Sequence, residues 1–351
     1  MDHPQQTATR SATLRDVALL AEVSTATASH VINGTRKVKD ETRDRVFAAI
    51  HTLGYSGHSI ARSLRRGRTA MLGLVVSDIE NPFFAMLAGH VQRAAALRGF
   101  QVIFANSEER CDREREILEA LTAQRVDGII LAPVARENMR LLLSRRIPLT
   151  VVNRRFPDVE APHVIVDDPR GAGLGFDHLW QLGHRRIAVV HGDTAWSTTA
   201  DRIAGVRAAS RRNGAAFDEA LLVDAGRPGE DGETRLVALL QRTRRPTAVL
   251  ALSNSALLAS LRALHHSLLR CPDDVSLVGY GITGPYWIPS ASISMVEQPV
   301  GEMATAAVQL LLSQIDKAPV GTSVILPPAL ALGRSSAAIG GQAQGAQRQR
   351  A

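Results

Sequence analysis

The sequence is poor in cysteine and in aromatic residues. It holds 2 cysteines among 351 residues, and aromatic side chains make up 4% of the chain. Cys111 and Cys271 are too far apart for a CxxC pair, and so low a cysteine content is typical of a reducing compartment. No apolar run reaches the roughly 20 residues that a membrane-spanning helix needs, and the polar residues 1–12 lack the apolar core of a secretory signal. We therefore expect a cytoplasmic protein with no membrane partner and a disordered N-terminus at residues 1–12.

Catalytic signatures are absent as well. The chain has 11 histidines but no HExxH, no nucleophile elbow and no CxxC, and Asp167-Asp168 alone is a weak carboxylate pair. The stretch at residues 171–175 is rich in glycine, but it does not match the GxGxxG pattern of a nucleotide-binding loop and favours a closely packed helix. We predict no catalytic residue, no metal site and no cofactor, and an enzyme remains the rival class.

Charge is distributed unevenly along the chain. Residues 1–70 contain eleven lysines and arginines against six acidic residues, a net charge of +5 out of +7 for the whole chain. A chain of this length exceeds one ordinary hydrophobic core, so we expect two or three domains, with the basic surface on the N-terminal one. Such a surface suits salt-dependent binding to nucleic-acid phosphates.

The N-terminal domain begins with helical patterns separated by tight turns. Thr13 and Asp16 have the spacing of a capping box, which satisfies backbone amides at a helix start. Ser24 is suited to cap a second helix over residues 24–33, after a turn at Glu22. The backbone at Glu22 is expected in the left-handed region, which costs a residue with a β-carbon about 1–2 kcal/mol. Two helices joined by so short a turn form a helix-turn-helix unit, whose second helix enters the DNA major groove.

The second helix of this unit presents little bulk on its outer face. Val31 and Ile32 point inward in the predicted helix. The residues expected on the outer face are Thr25, Ala26, Thr27, Ser29 and His30. A helix with such small or polar side chains can approach base edges closely. A third helix over residues 40–53 is amphipathic, and we expect its apolar face to cover the other two.

This block resembles the lactose-repressor and purine-repressor family of bacterial transcription regulators. The matching residues are Leu14-Arg15-Asp16-Val17-Ala18, Val23-Ser24, Ser29-His30-Val31-Ile32-Asn33, Glu41-Thr42-Arg43, Leu53-Gly54-Tyr55 and Ala61-Arg62-Ser63-Leu64. So many fixed spacings in one short block are highly specific. A helix-turn-helix lookalike in an unrelated helical bundle is the alternative.

The resemblance implies a set of DNA contacts. These are Ser24, Thr25, Ala26, Thr27, Ser29, His30, Asn33, Tyr55, Ala61, Arg62 and Leu64. His30 and Thr25 are expected at base edges, with Ala26 in close apolar contact. In the family a short hinge helix pairs with its twin in the minor groove, and Leu64 matches the leucine that is wedged between base steps. A plain linker over residues 57–69, with Leu64 in a small local core, is the alternative.

From residue 70 onward, short apolar runs alternate with longer amphipathic ones. Strands are predicted over residues 71–76, 101–105, 128–132, 149–152, 163–166, 187–191, 248–251 and 275–280. Helices are predicted over residues 84–97, 113–123, 171–182, 199–213, 255–267 and 301–315. This alternation predicts parallel sheets with helices on both faces, and there are too many units for one sheet. Two doubly wound α/β lobes with a cleft at the carboxyl ends of their strands form a natural small-molecule site.

The resemblance extends over nearly the whole chain, to about Gly333. The residues that carry it here are Asn81-Pro82-Phe83-Phe84, Val126-Asp127-Gly128, Leu182-Gly183-His184-Arg185-Arg186-Ile187, Arg202-Ile203-Ala204-Gly205, Arg245-Pro246-Thr247-Ala248, residues 272–280 and Gln298-Pro299-Val300. They are similar to the family's effector domain, which itself resembles periplasmic sugar-binding proteins.

The chain is accordingly divided into a head, a hinge, a two-lobed domain and a tail. The head takes residues 13–56, the hinge helix and linker 57–69, the effector and dimerisation domain 70–335, and a disordered tail 336–351. By analogy, lobe one takes residues 70–167 and 297–326, and lobe two takes residues 168–296 and 327–335.

The resemblance also implies candidate effector contacts. These are Phe83, Phe84, Thr198, Arg202, Arg227, Asn254 and Gly281. Phe83 and Phe84 match an aromatic pair that packs on the ligand, or else they form a core staple between strand and helix. The forked guanidinium group of Arg202 can bind a carboxylate, a phosphate or a pair of sugar hydroxyls. Gly281 stands where the family generally has an aspartate, and Arg227 lies near a usual aromatic, which favours an anionic or unusual ligand, or none.

The sequence therefore predicts a DNA-binding transcription regulator. It is expected to act at the nucleoid as a repressor, binding a palindromic operator as a homodimer, with a small sugar-like or anionic metabolite in the cleft between the lobes. The alternative is an architectural or effector-independent regulator with a degenerate cleft. This alternative remains because Gly281 and Ser255 stand where the family usually has acidic residues. Trp196 is expected in the core or at an interface. The tail has no leucine heptads, which favours a dimer over a tetramer.

Overall fold

The computed structural model describes residues 12–33, 36, 38–53, 68–226, 232–282, 293–319, 321 and 323–339. Contacts between Cα atoms divide the chain into two compact units, Met1–Thr69 and Ala70–Ala351. The predicted site residues that lie outside the described residues are Tyr55, Ala61, Arg62, Leu64 and Arg227. Their roles stay predictions.

The described part of the first unit is helical. Its helices are α1 (Leu14–Leu20), α2 (Thr25–Asn33) and α3 (Asp40–Leu53). Thr13 and Asp16 form the predicted capping box: the Thr13 N–H donates to Asp16 Oδ2 over 2.7 Å, and the Asp16 N–H donates to Thr13 Oγ1 over 3.3 Å. Ser24 caps α2, since its Oγ accepts the N–H of Thr27 over 3.0 Å.

A small apolar core holds these helices together. It consists of Val17, Ala21, Val31, Val46 and Ala49, with Val23, Ile32, Val38, Ile50 and Leu53 packed around it. Between α1 and α2, Glu22 has a φ of 53°, which is the left-handed conformation expected for this turn. The turn and the core together fix α2 on the other two helices.

The second unit contains two α/β lobes. Its strands are β1 (Met71–Val76), β2 (Gln101–Asn106), β3 (Gly128–Leu131), β4 (Leu149–Val152), β5 (His163–Val166), β6 (Ile187–His191), β7 (Leu222–Asp224), β8 (Ala248–Ala251), β9 (Ser276–Gly281), β10 (Ser294–Glu297), β11 (Ser323–Leu326) and β12 (Ala329–Ala331). Its helices are α4 (Pro82–Ala96), α5 (Cys111–Ala123), α6 (Arg136–Ser144), α7 (Asp168–Gln181), α8 (Ser197–Arg212), α9 (Gly232–Leu240), α10 (Asn254–His266) and α11 (Val300–Ile315).

Each lobe has one sheet of six strands in the described residues. The strand order is β11-β5-β4-β3-β1-β2 in lobe one and β12-β10-β9-β8-β6-β7 in lobe two. The strands pair in parallel except for β10 with β12, which are antiparallel. The predicted fold of two doubly wound lobes is confirmed, with one antiparallel edge strand added. The chain passes between the lobes after β5, after β10 and after β11.

The elements that the sequence did not predict are short or lie at the edges of the sheets. They are β7, β10, β11, β12, α6 and α9. Three of these strands are outer members of their sheets, where the partly exposed side chains of β7, β11 and β12 leave no continuous apolar run. Helix α7 begins three residues earlier than expected, because Asp167 caps it and Pro169 fits its first turn.

Helices α7 and α8 approach each other closely in lobe two. A β-carbon on Gly205 of α8 would lie 2.1 Å from the carbonyl oxygen of Pro169 in α7. A β-carbon on Gly171 of α7 would lie 2.7 Å from the ring of Tyr280. The glycine-rich stretch is therefore a closely packed helix, as expected, and not a nucleotide-binding loop.

Residues 336–339 belong to lobe two, although the sequence analysis assigned them to a disordered tail. The carbonyl oxygen of Ala337 accepts a hydrogen bond from Nε2 of His184 over 3.1 Å, and the N–H of Ile339 donates to the carbonyl of Leu182 over 3.0 Å. Burial lowers the pKa of His184, which favours its neutral form. The tail's composition did not predict this order, because the contacts are made largely by its backbone.

We predict that Gly205→Ala lowers the free energy of unfolding of the second unit by about 1–3 kcal/mol, because α7 and α8 must separate to admit a methyl group. The matched control is Gly89→Ala in α4, where the nearest atom to the new β-carbon is 3.5 Å away. There, alanine's higher helix propensity is expected to add up to about 1 kcal/mol. Urea unfolding followed by circular dichroism measures both changes. Similar effects of the two substitutions would contradict the close helix contact.

Candidate functional site

The first candidate site is the exposed start of α2. Ser24, Thr25 and Ala26 are exposed, whereas Ser29 and His30 are half-buried. The hydroxyl of Ser24 lies 2.9 Å from that of Thr27, which is also half-buried, so this pair interacts within the helix turn. Asn33 ends the helix. The first turn therefore carries only small side chains on its outer face, as the sequence predicted.

The second candidate site is the cleft between the two lobes. Its lining includes Asp78 and Asn81 of lobe one and Asp193 and Thr198 of lobe two. These residues follow the carboxyl ends of β1 and β6, where binding sites of open α/β sheets form.

Most of the predicted effector contacts meet in this cleft. Those in its lining are Phe83, Phe84, Thr198, Arg202, Asn254 and Gly281. Phe83 and Phe84 are 3% and 1% exposed, and their ring centroids are 5.1 Å apart in an edge-to-face pair. Both also belong to the apolar core of lobe one. The pair is therefore a core staple whose surface forms part of the cleft wall, and its packing against a ligand stays a prediction.

Arg202 is held in position by lobe two itself. Its Nε donates to Asp168 Oδ1 over 2.7 Å, and its Nη1 donates to the carbonyl of Leu252 over 2.7 Å. The guanidinium lies 4.0 Å from the ring centroid of Tyr280, whose hydroxyl donates to the same Asp168 oxygen over 2.7 Å. Burial alone would lower the pKa of Arg202, but Asp168 and Tyr280 outweigh it and the pKa is raised. Two of the three guanidinium nitrogens are thus engaged within the chain.

Arg154 lies on the lobe-one side of the cleft, and the sequence analysis did not single it out. Its Nη2 donates to Glu109 Oε1 over 2.6 Å, and its guanidinium lies 3.9 Å from the ring centroid of Trp196 in lobe two. Arg154 is only 9% exposed, and its Nε and Nη1 have no hydrogen-bond partner among the described residues. Burial lowers the pKa of Arg154, although Glu109 opposes this. Trp196, expected in the core or at an interface, thus lies between the lobes and lines the cleft.

A tight turn positions Arg154 directly after β4. Asn153 has a φ of 66°, and the N–H of Arg154 donates to the carbonyl of Val152 over 2.7 Å. Positive φ is uncommon for residues other than glycine, although asparagine tolerates it.

Asn254 fills the space beside Gly281. Gly281 has a φ of 149°, and a β-carbon there would lie 2.4 Å from Oδ1 of Asn254. Nδ2 of Asn254 donates to Oδ1 of Asn81 over 3.1 Å, which joins the start of α10 in lobe two to the N-cap of α4 in lobe one. Glycine at position 281 therefore makes room for a side-chain contact between the lobes.

Several of the cleft residues that sequence reasoning missed follow the end of a strand within three residues. Among them are Asp78, Glu109, Asn153, Arg154 and Asp193. Because the carboxyl ends of parallel strands meet at one edge of a sheet, that position was the available signal. Within the described ranges, no group of three or more His, Cys, Asp or Glu could hold a metal ion, and no helix is long and apolar enough to span a membrane.

Two family models match the chain. Residues 13–57 match the bacterial regulatory proteins of the lacI family, and residues 176–336 match a periplasmic binding protein-like domain. The ribose operon repressor of Haemophilus influenzae is 32% identical over 305 residues, which cover 87% of this chain and 92% of that protein. The HTH-type transcriptional repressor PurR of Klebsiella pneumoniae is 31% identical over 333 residues, which cover 93% of this chain and 97% of the repressor.

Solved structures also match over nearly the full length. The complex of the transcriptional regulator CelR with cellobiose has a TM-score of 0.68 at 30% identity, covering 93% of this chain and 100% of that one. The lac repressor dimer bound to operator and the anti-inducer ONPF has a TM-score of 0.83 at 24% identity, covering 94% and 100%. At that identity the second match concerns the fold alone.

We predict that Asp168→Asn lowers the free energy of unfolding by about 3–5 kcal/mol, because it leaves the charge of Arg202 buried without its carboxylate. The matched control is Glu219→Gln, which removes the carboxylate that pairs with Arg207 at 2.8 Å in the same lobe. The side chains of that pair are 42% and 56% exposed, so the control is expected to cost about 1 kcal/mol or less. Guanidinium chloride unfolding followed by tryptophan fluorescence measures the difference. Equal losses in the free energy of unfolding for both variants would show that the buried pair stabilises the fold no more than the exposed pair does.

Proposed function

The chain belongs to the lacI family of bacterial regulatory proteins, and from this premise we propose that it is a repressor that binds a near-palindromic operator as a homodimer. A small molecule in the cleft between the lobes adjusts its affinity for DNA. The names of its relatives, a ribose operon repressor and the repressor PurR, support this assignment. Members of the family are DNA-binding regulators, which excludes the enzyme alternative.

The observation that carries the proposal is the exposed first turn of α2 on a rigid helical core. Its small side chains suit close approach to the major groove, where base edges present a distinct pattern for each base pair. In this proposal Thr25 and His30 contact base edges, and Ala26 makes a close apolar contact. Of the other proposed contacts, Thr27, Ser29 and Asn33 lie nearer phosphate. The net charge of +5 over residues 1–70 supplies the salt-dependent attraction to the DNA backbone.

The connection between ligand and DNA is proposed to run through the hinge. Leu64 inserts between base steps in the minor groove when two hinge segments pair, with Ala61, Arg62 and Tyr55 nearby. A ligand that favours one arrangement of the lobes biases this pairing, and DNA must in turn bias ligand binding by the same factor. Because its operator lies on the chromosome, the protein acts in the cytoplasm, at the nucleoid.

A regulator that responds to no metabolite is the second candidate. The hydrogen bond between Asn254 and Asn81 favours it, because the chain itself provides a contact across the cleft. Glycine at position 281, where the family generally has an aspartate, favours it too. In that case DNA binding would persist unchanged in the presence of every small molecule.

We predict that selection from random duplexes yields a near-palindrome whose half-site centres lie about one helical turn apart, roughly 10 base pairs, because a two-fold symmetric dimer presents one α2 helix to each of two successive major grooves. Affinity is expected to fall steeply as salt rises. Sequencing of the selected pool and fluorescence anisotropy of a labelled duplex measure these properties. Recovery of no sequence preference, or of an asymmetric single site, would refute the proposal.

We predict that His30→Ala relaxes the preference at one base position in each half-site by about 1–3 kcal/mol, because a base-edge contact is lost. The matched control is His51→Ala, which removes an exposed histidine from α3 of the same head. Binding-site selection with both variants provides the measurement. If the His30 variant selects the same sequences as the wild type, His30 does not read a base.

A further inference from the structure

The last described residues of the chain, 333–339, form a strap on lobe two. The N–H of Leu277 in β9 donates to the carbonyl of Ser335 over 2.7 Å, and the N–H of Ser294 in β10 donates to the hydroxyl of Ser335 over 2.8 Å. Ser335 is 1% exposed, and its hydroxyl in turn donates to the carbonyl of Leu277 over 2.6 Å. This C-terminal strap is therefore joined to two neighbouring strands of the sheet through one buried serine.

Two histidines hold the rest of the strap. Nε2 of His178 in α7 lies 2.9 Å from the hydroxyl of Ser336. Nε2 of His184, which follows the same helix and is 3% exposed, lies 3.1 Å from the carbonyl oxygen of Ala337, and its Nδ1 lies 2.9 Å from the hydroxyl of Thr247. Because a carbonyl oxygen can only accept, the proton of the neutral ring is on Nε2, and Nδ1 accepts from Thr247. Both nitrogens of neutral His184 are thus hydrogen-bonded while the strap is in place.

We propose that the C-terminal strap is a proton-sensitive clasp, which stays on lobe two while His178 and His184 are neutral and is released when they take up protons. The clasp is independent of the DNA-binding function proposed above. With the strap bound, a protonated ring places positive charge where little water can reach it, whereas release of the strap lets water hydrate that charge. Protons therefore favour the released strap.

The pH at which the clasp weakens follows from the direction of the pKa shifts. While the strap is bound, burial lowers the pKa of both His178 and His184 from the ordinary histidine value of about 6.5. After release, contact with water returns both pKa values toward that ordinary value. The bound strap therefore has its full stability above about pH 6.5 and loses stability as the pH falls through that value, by up to about tenfold per histidine for each pH unit.

The charges around the two histidines oppose protonation further. Burial is the largest cause of the lowered pKa of His184; the hydrogen bond to Ala337 acts against it, and the positive charges of protonated His178 and of Arg185 add to it. Asp177, the neighbour of His178 in α7, already accepts a hydrogen bond from an arginine of α8 over 2.9 Å. Protonation of the two rings therefore adds positive charge beside positive charge.

Other ionisable groups near the strap keep one charge state in this pH range. Cys271, in the turn before β9, donates through its Sγ to a carbonyl of the strap over 3.3 Å, and burial raises the pKa of its thiol to about 11. Asp273 and Asp274 of the same turn are paired with Arg270, and the hydrogen bond from Arg270 lowers the pKa of Asp274. Arg334, in the strap itself, is exposed and stays charged. Between pH 5 and 8 the two histidines are therefore the members of this set that change charge.

Hydrogen–deuterium exchange of the full-length protein tests the clasp at pH 7.5 and pH 5.5, one unit on either side of the ordinary histidine pKa of about 6.5. The reporter amides are those of Ala337 and Ile339, which donate to the hydroxyl of Ser276 and to the carbonyl of Leu182, both over 3.0 Å. After correction for the intrinsic effect of pH on exchange, we expect these amides to exchange about 10- to 100-fold faster at pH 5.5, the range for uptake of one or two protons on release. Mass spectrometry of peptides that cover the strap measures the rates. Strand β8, in the interior of the same sheet, is the internal reference, and its corrected exchange is expected to stay unchanged.

Variants then assign the effect to the two rings. His178→Gln and His184→Gln each keep a polar side chain that takes up no proton, so each is expected to remove up to about tenfold of the response to pH, and the double variant is expected to leave none. The matched control is His266→Gln in α10 of the same lobe, whose side chain is 62% exposed and paired with Glu233; it is expected to keep the full response of the wild type. The comparison of the two pH values in the wild type remains a test even if the double variant does not fold.

Three outcomes would overturn the proposal. The first is equal corrected exchange of the strap amides at the two pH values. The second is a full response to pH in the double variant, which would mean that other groups take up the protons. The third is an equal rise of exchange in strand β8, which would mean that acid loosens lobe two as a whole and not the strap.

Discussion

The buried pair of Asp168 and Arg202 is the interaction on which the geometry of the cleft depends. Asp168 begins α7 where the chain first enters lobe two, and Arg202 lies on α8, which packs against α7 at Gly205. Tyr280 of β9 and the carbonyl of Leu252 after β8 bind the same pair. A charge buried this deeply is tolerated only with its partners in place. Two helices and two strand ends are therefore held together at the cleft.

The sequence predicted what depends on neighbours along the chain. The capping box of Thr13 and Asp16, the cap at Ser24 and the left-handed turn at Glu22 each follow from a few adjacent residues, and the alternation of apolar and amphipathic runs predicted two lobes. Edge strands such as β7 and β12 have three residues, too few for a period to be recognised. Residues 336–339 are ordered by hydrogen bonds of their backbone and of the Ser336 hydroxyl to partners far away in the sequence, which composition does not encode.

The sequence predicted where the cleft lies but not which interactions form within it. Arg202 was expected there and lies there, yet its partners Asp168 and Leu252 are 34 and 50 positions away, and their hold on two of its nitrogens follows from the fold alone. Arg154 carries no motif, and its partner Glu109 is 45 positions away on another strand end. The sequence did indicate that Arg154 and Glu109 each follow a parallel strand. The sequence did not indicate whether each buried donor has a hydrogen-bond partner, because that depends on every residue around the donor.

Glycine at position 281 links the chemistry of the ligand site to the closure of the lobes. An aspartate there would need the space that the amide of Asn254 occupies, since its β-carbon would lie 2.4 Å from that amide's oxygen. With glycine, Asn254 instead donates to Asn81 of the other lobe, and one such hydrogen bond contributes about 0.5–1.5 kcal/mol. The hydrogen bond adds a contact between the lobes, which favours the arrangement containing it by roughly two- to tenfold before any ligand binds. A ligand can shift that equilibrium further only by its difference in affinity for the two arrangements, and the contact of Arg154 with Trp196 is where such a difference can arise.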